Sequence, residues 1–282
     1  MIKKSTAILI SPALTLLTVM IITPLFFMIR VSLLKPPEET GFYIPDTFTF
    51  QNYGLIFDSY GISIILKTTI FALEISLITI FLSLGFALLI QKSSKFWRVI
   101  SITCLLLPKL TSPLLIIFGL QRILGDHGII NQLLLFLHIC NQPVILIRNH
   151  LGVLIGETYL ILPISSLFVF IQLNSINEEI KTAAKGLGAS NYQVFKKITL
   201  PLCYPGLITV WQLSMAWGMS CLLGPLFLGS PSESTIACEI FHQTFELGNW
   251  PLAAAWSVFL TTTTIVLLLT PKLITLFFTV HK

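Results

Sequence analysis

Six long apolar stretches make up most of the 282-residue chain and limit what it can fold into. Each exceeds the roughly 20 residues that a helix needs to cross a bilayer. Only 10% of the residues are charged, whereas soluble domains average about 25%. Because backbone groups in lipid must be satisfied within the protein, we predict an all-α membrane protein with six transmembrane helices. The predicted spans cover residues 7–32, 62–90, 99–123, 151–173, 205–228 and 252–278.

Basic residues near the ends of these stretches predict the orientation of the chain. The N-terminal residues, the 91–98 linker and the 176–206 loop hold nine Lys and Arg residues (2 + 3 + 4), whereas the opposite loops hold two, Lys35 and Arg148. Since Lys and Arg are enriched in short cytoplasmic loops, both termini are expected in the cytoplasm. The net charge of +5 follows from these scattered residues, so no nucleic-acid partner is expected.

The longest polar run between two apolar stretches is residues 176–206, with the sequence INEEIKTAAKGLGASNYQVFKKITLPLCYPG. Two glutamates near its start suit the positive end of a helix dipole. Gly188 is expected to break this helix, and Ser190 is suited to cap a second one over residues 189–197. Pro201 then marks the start of the next span. The pattern predicts two short helices at a glycine turn, a shape that fits a groove on a soluble partner.

The spacing in this loop resembles the EAA loop of ABC importer permeases, the coupling segment that docks on the ATPase subunit in that family. Two alanines are followed by three residues and a glycine, then by nine residues, an isoleucine, one residue and Leu-Pro. Thr182 stands where the family has glutamate, which concerns one polar contact to the ATPase. A generic basic cytoplasmic hairpin is the alternative interpretation. The resemblance assigns coupling to Thr182, Ala183, Ala184, Gly188, Ile198, Leu200 and Pro201.

Four further segments resemble permeases of the polyamine-importer branch. They are PKLTS at 108–112, GIIN at 128–131, LIGETY at 154–159 and NWPLAAA at 249–255. The resemblance implies a MetI-like permease fold in the bacterial inner membrane. The chain differs from that branch at two places. Lys109-Leu110 stand where the branch commonly has an aromatic pair, and residues 116–118 stand where it commonly has an Arg-Thr-Tyr run.

This resemblance implies a permease subunit of an ATP-driven, binding-protein-dependent importer that works by alternating access. The implied partners are a second, similar permease, two copies of an ABC ATPase, an extracytoplasmic substrate-binding protein and membrane lipid. Polyamines such as spermidine and putrescine are the first choice of substrate, while ferric iron, sulfate and thiamine importers share the loop and architecture. The alternative from another class is a secondary transporter driven by an ion gradient, against which the docking loop argues.

No pattern in the sequence indicates catalysis by this chain. The P-loop motif G-x-x-x-x-G-K-[ST] is missing, so ATP hydrolysis is expected from a separate ATPase. The five histidines show no ligand spacing and the five cysteines no CxxC pair, so no metal site, cofactor or catalytic residue is expected. Whether Cys140 and Cys238 pair is left open.

Charged residues within the apolar stretches need partners, because a charge at the bilayer centre costs at least about 2.5 kcal/mol. Glu74 and Lys109 enter from opposite sides and reach a similar depth at 1.5 Å per residue, so we expect them to pair. The span around Lys109 is also broken by prolines at 108 and 113. For Glu157 two partners remain open, namely Arg122 and a cationic substrate.

Three aromatic residues complete the predicted substrate path. Tyr159, Trp211 and Trp217 are candidates because an aromatic face attracts cations. Packing or anchoring at the membrane interface is the more common role of such residues. Together with Glu74, these side chains are the candidate contacts of a cation within the membrane.

The orientation is testable by the accessibility of single cysteines in a cysteine-free background. With both termini inside, Ser190→Cys lies in the cytoplasm and is expected to react with an impermeant thiol reagent only in opened cells. Ser232→Cys, in the opposite 229–251 loop, is the matched control and is expected to react in intact cells. Labelling of position 190 from outside intact cells would contradict the six-span arrangement.

Overall fold

The computed structural model describes residues 4–37 and 41–280, and the side chains of residues 10–37 and 41–270. Within these residues the chain is helical. The one β-type pairing there is an isolated antiparallel bridge between Lys35 and Ile44. The predicted all-α class is thereby confirmed.

The described part of the chain contains thirteen α-helices. They are α1 (Lys4–Ser32), α2 (Gln51–Ile56), α3 (Ser59–Lys92), α4 (Lys95–Leu106), α5 (Pro113–Leu124), α6 (Ile129–Phe136), α7 (His150–Asn174), α8 (Glu178–Gly186), α9 (Asn191–Val194), α10 (Leu200–Met219), α11 (Leu223–Leu228), α12 (Ile236–Phe241) and α13 (Trp250–Val280). Shorter 3₁₀ turns occupy Leu107–Leu110 and Pro231–Glu233, and π-helical turns occupy Phe195–Thr199 and His242–Glu246.

Five segments of the described residues are long and apolar enough to cross a membrane. They are Ile10–Ser32, Ser59–Lys92, Pro113–Phe136, His150–Asn174 and Trp250–Thr270. Each overlaps one of the predicted spans. Helix α10, which overlaps the remaining predicted span, has 20 residues, and prolines and polar side chains dilute its apolar character. The total of six spans therefore stays a prediction.

The predicted span 99–123 is divided in two. Helix α4 ends at Leu106, the 3₁₀ turn follows, and Thr111 has an extended backbone before α5 begins at Pro113. The interruption lies at the prolines that had suggested it, because proline lacks the N–H that continues a helix. Lys109 lies within the turn.

The predicted span 205–228 is also divided, and here the sequence analysis predicted no break. Residues 220–222 separate α10 from α11. Pro225 offers no N–H to the carbonyl of Cys221, four residues before it. That carbonyl instead accepts a hydrogen bond from the Thr235 hydroxyl at 2.8 Å, so a side chain replaces the missing helical bond.

The helices group into two compact units, residues 1–63 with 239–263 and residues 64–238 with 264–282. In the first unit, the loop after α1 folds back onto the end of that helix. The buried Asn52 amide donates to the carbonyls of Ser32 and Leu34, each at 2.9 Å. The Ser32 hydroxyl lies 2.7 Å from that of Tyr53. These bonds satisfy carbonyls at the C-terminus of α1 that have no partner within the helix.

A buried carboxylate also belongs to the first unit. Glu239 accepts hydrogen bonds from the Tyr60 hydroxyl at 3.1 Å and from the Gln243 amide at 2.7 Å. Both donors are neutral, and they satisfy a group that would otherwise be costly to bury.

In the second unit, α7 packs against α10 and α11, contacts α3 through a buried cluster of Phe71, Ile75, Val153 and Ile161, and is the most buried of the five candidate spans. Small residues allow close approach. A Cβ atom at Gly218 of α10 would lie 2.6 Å from the Cα of Ala72 in α3, so only glycine fits there. Membrane helices commonly use small residues in this way. One buried apolar cluster of this unit consists of Ala87, Ile90, Val169, Phe170, Leu173, Ile176, Cys203 and Val210.

All five cysteines are free. Cys140 and Cys238, whose pairing the sequence left open, therefore form no disulfide. The backbone N–H of Cys238 instead donates to the Thr235 hydroxyl oxygen at 3.4 Å, and its sulfur lies 3.9 Å from the Leu222 carbonyl oxygen.

Candidate functional site

The two interrupted spans and the middle of α7 meet at one cavity of about 180 Å³ in the second unit. Pro113 comes from the first interruption, and Ser220, Cys221 and Leu222 form the second. Interrupted helices expose backbone polar groups that a continuous helix would satisfy internally, and transporters often place binding sites there. Its lining residues are Pro113, Glu157, Leu160, Trp217, Ser220, Cys221, Leu222 and Leu223.

Glu157 of α7 is the charged residue of this cavity and is only 2% exposed. Its carboxylate accepts hydrogen bonds from the Trp217 indole N–H at 2.8 Å and from the backbone N–H of Gly224 at 2.7 Å. A Cβ atom at position 224 would lie 2.7 Å from the Glu157 Oε1, so glycine is what permits this approach. The site therefore holds a buried carboxylate with two neutral donors.

Lys109 contacts the face of the same tryptophan. Its ammonium nitrogen lies 5.0 Å from the centre of the Trp217 ring, within the range of a cation–π contact. The expected pairing of Lys109 with Glu74 is wrong. Equal depth along two helices does not bring their side chains together, because the rotation of each helix decides which neighbour it faces.

Glu74 instead pairs with His150, the first residue of α7. The Nε2 of His150 lies 2.6 Å from a Glu74 oxygen, and its Nδ1 lies 3.2 Å from a Glu233 oxygen. The imidazole stacks on the buried Phe71 with ring centres 4.4 Å apart. The sequence analysis missed this cluster because its three titratable residues are far apart in sequence and share no spacing. A nearby hydrogen bond also joins α3 to the Pro231–Glu233 turn, since the Lys67 ammonium donates to the Ser232 carbonyl at 2.9 Å.

The other predicted path residues do not join Glu157. Tyr159 is 41% exposed and lies two positions along α7, which places it about 200° around the helix. Trp211 is half-buried and lies six positions before Trp217 on α10, again on another side. Arg122 is exposed and forms no ion pair with Glu157 in the described structure, so that alternative is wrong. Of the predicted set, the structure brings together Glu157 and Trp217.

The predicted coupling loop forms two short helices with defined caps. The Asn177 side chain caps α8 by accepting from the N–H of Glu179 at 2.9 Å. Gly188 follows with a φ of +87°, a left-handed backbone that favours glycine. Ser190 caps α9 in a reciprocal arrangement with Gln193. These are the glycine and the serine that the sequence indicated.

The predicted coupling loop presents apolar surface rather than burying it. Leu187 is 90% exposed, and Thr182, Ala183 and Pro201 are exposed as well. The Thr182 hydroxyl donates to the Glu178 carbonyl of its own helix at 3.0 Å. A groove of about 480 Å³ in this loop is lined by Ala184, Leu187, Gly188, Ala189, Gln193, Val194, Lys197 and Ile198.

A continuous helical segment joins this loop to the cavity. Helix α9, the π-helical turn and α10 follow one another without interruption from residue 191 to residue 219. Thr199 is buried at the π-helical turn, where the segment enters the packed part of the unit. Leu200 and Trp217 both lie on this segment and are separated by about 26 Å along the helix axis, at a rise of 1.5 Å per residue.

Proteins of known name are similar to this chain in sequence over most of its length. The spermidine/putrescine transport system permease protein PotB of Escherichia coli (strain K12) is 27% identical over 245 residues, covering 87% of this chain and 88% of that protein. The protein of the same name from Haemophilus influenzae (strain ATCC 51907 / DSM 11121 / KW20 / Rd) is 25% identical over 241 residues, covering 86% and 84%.

The fold matches that of a chain in a solved transporter. A chain of the bacterial alginate ABC transporter, crystallised with its alginate pentasaccharide-bound periplasmic protein, superposes with a TM-score of 0.75. The match covers 93% of this chain and 90% of that chain at 17% identity, so it supports the fold alone.

The sequence model of one protein family, described as the inner membrane component of binding-protein-dependent transport systems, matches residues 80–279. The expected importer-permease family and fold are thereby confirmed, and its members are transport subunits rather than enzymes. Because the match covers 200 of the 282 residues, the chain belongs to the family of binding-protein-dependent transport system inner membrane components.

Proposed function

We propose that this chain is a permease subunit of an ATP-driven importer that carries polyamines, with Glu157 and Trp217 contacting the substrate. The buried Glu157 carboxylate is the observation that carries the proposal. A carboxylate within a membrane span, held by neutral donors, leaves a negative charge that a cation can neutralise. The relatives named for spermidine and putrescine transport support the same class of substrate.

The geometry around Trp217 fits the chemistry of an alkylammonium group. Its N–H points to the carboxylate, while its face lies beneath the Lys109 ammonium, so the ring already accommodates a primary amine cation. A polyamine brings several such ammonium groups on a flexible aliphatic chain. The apolar lining by Leu160, Leu222 and Leu223 suits the methylene groups between them.

Alternating access gives the continuous 191–219 segment a role. In this proposal both termini and the coupling loop face the cytoplasm, where the loop docks on an ATPase subunit. Movement of that subunit is transmitted through α9 and α10 to Trp217, and from Trp217 to the Glu157 carboxylate. The complete importer contains a second, similar permease, two ATPase copies and an extracytoplasmic binding protein.

The His150 cluster has a place in the same cycle. It joins α3, α7 and the turn at Pro231–Glu233, at the end of α7 remote from the coupling loop. In the proposed orientation this end faces outward. Opening of the path to the binding protein then requires the contacts of His150 with Glu74 and Glu233 to rearrange.

An anionic solute is the second candidate, and Lys109 is the observation that favours it. Its ammonium is half-buried near the cavity and is available to an oxyanion. The deeper position of Glu157 weighs against this alternative, because an anion at the cavity would lie beside a buried carboxylate whose own hydrogen bonds come from neutral donors. Uptake of radiolabelled spermidine and sulfate by the same reconstituted importer separates the two candidates.

Removal of the buried charge tests the proposed contact. Glu157→Gln keeps the side-chain size and one acceptor oxygen, which can bond to the Gly224 N–H, while its NH₂ group replaces the oxygen that accepted from Trp217. Assembly of the importer is therefore checked by co-purification of its subunits, alongside uptake. Without the charge, uptake of spermidine is expected to fall at least tenfold, corresponding to about 1.4 kcal/mol. Glu246→Gln, at an exposed carboxylate in the first unit, is the matched control and is expected to transport normally. Full uptake by Glu157→Gln would eliminate Glu157 from the path.

A second substitution tests the coupling loop. A Cβ atom at position 188 would meet no neighbouring atom within 4 Å, so we expect the effect of Gly188→Val to come from the left-handed backbone, which costs a residue with a side chain about 1–2 kcal/mol. We expect uptake to fall several-fold while the ATPase subunits still hydrolyse ATP. A Cβ atom at position 186 would also meet no neighbour, but this residue lies in a right-handed helix, and Gly186→Val is expected to retain most of the uptake. Unchanged coupling in Gly188→Val would contradict the assignment. Thr182→Glu, which restores the family residue, is expected to be tolerated.

A further inference from the structure

Lys109 holds its cation over Trp217 without a carboxylate partner. No Asp or Glu oxygen within the described side chains lies within 4.0 Å of its ammonium nitrogen. The side chain is half-buried, and its polar head lies 5.0 Å from the centre of the Trp217 ring. A lysine in this position has given up part of its hydration, and the ring face replaces it in part.

Trp217 connects this cation to the buried carboxylate through two different parts of one side chain. The edge of the indole donates its N–H to Glu157 at 2.8 Å, while the face of the ring lies under Lys109. Donation to an anion polarises the indole and makes its face more attractive to a cation. The site therefore holds one negative charge at the edge of the ring and one positive charge over its face.

We propose that Lys109 is a tethered substitute for the substrate, occupying the ammonium position on Trp217 until a cationic substrate displaces it. This inference rests on the proposed function of the Glu157 cavity. It adds that the cation site is already filled by the protein when no substrate is bound. Transport then exchanges one ammonium for another, rather than bringing a cation to an unneutralised site.

The position of Lys109 in the fold allows such a displacement. The residue lies in the 3₁₀ turn between α4 and α5, where Thr111 has an extended backbone and the helical hydrogen bonds are interrupted. The adjacent Leu110 is 90% exposed, so the turn is not enclosed by the described structure. A lysine has four rotatable side-chain bonds, and its head can leave the ring without a change in the helices.

The exchange has two consequences for selection and release. A neutral solute that displaced Lys109 would leave the face of Trp217 without a cation, so a substrate must bring its own ammonium group. The displaced lysine also competes for the ring throughout the cycle, which keeps the substrate from binding too tightly to leave. Both effects act on affinity at the cavity and not on assembly of the importer.

Equilibrium binding of radiolabelled spermidine to the assembled membrane complex, formed by the two permeases and the two ATPase copies without the binding protein, tests the exchange. Lys109→Met removes the competing cation but keeps the length of the side chain, so spermidine is expected to bind about tenfold more tightly. Lys109→Arg keeps the cation and is expected to bind within about twofold of the wild type. Lys92→Met, at an exposed lysine away from the cavity, is the control for the loss of a positive charge.

A double-mutant cycle separates competition at the ring from a general charge effect. In a Trp217→Leu background the ring is gone, and Lys109→Met is expected to change spermidine affinity by less than about twofold. A merely structural role of Lys109 predicts weaker or unchanged binding in Lys109→Met.

Three outcomes decide the matter. Tighter binding that requires Trp217 supports the exchange. Unchanged or weaker binding in Lys109→Met, with spermidine uptake by the wild type intact, overturns the exchange and leaves the proposed function standing. Absence of spermidine uptake by the wild-type importer overturns the proposed function, and the exchange with it.

Discussion

The hydrogen bonds to the Glu157 carboxylate are the interaction on which the second unit depends. A charged group that is almost completely buried among apolar helices is strongly unfavourable unless its oxygens are bonded. Trp217 and Gly224 supply these bonds from α10 and from α11, on the two sides of the break at residues 220–222. The carboxylate of α7 thus fixes both halves of an interrupted span, and the bare backbone of Gly224 makes the contact possible.

This arrangement links the cavity to two distant parts of the fold. Helix α10 continues back through the π-helical turn to the capped helix α9, so the coupling loop and Trp217 belong to one helical segment. Helix α7 begins at His150, whose imidazole contacts Glu74 and Glu233. In the proposed transport cycle, a displacement at the predicted coupling loop reaches the cavity through α10, and a rearrangement at the start of α7 reaches it through the helix that carries Glu157.

Properties that depend on neighbouring residues in sequence were predictable. Apolar length predicted most of the helices, and Gly188 and Ser190 predicted the turn and the cap of the coupling loop, because each of these effects acts over a few residues. The break between α10 and α11 was missed, although Pro225 signals it, because the apolar run continues through it. Its stabilising bond comes from Thr235, which sequence spacing does not connect to Cys221.

The pairing of charges was not predictable in the same way. Depth in the membrane follows from counting residues, but it leaves the rotation of each helix undetermined, so Lys109 was assigned to Glu74 rather than to Trp217. The same reasoning placed Tyr159 with Glu157 because they are close in sequence, although a helix turns them to different sides. His150 carried no local signal, since both of its acidic partners come from other parts of the chain.

Electron cryomicroscopy of the complete importer, trapped during turnover with spermidine, tests the central claim most directly. The measured quantity is the distance between the nearest substrate nitrogen and the Glu157 carboxylate. We predict a nitrogen at hydrogen-bonding distance, about 3 Å, within the cavity bounded by the two interrupted spans. Spermidine resolved elsewhere along the path, with Glu157 still enclosed by Trp217 and Gly224 in every state, would contradict this account.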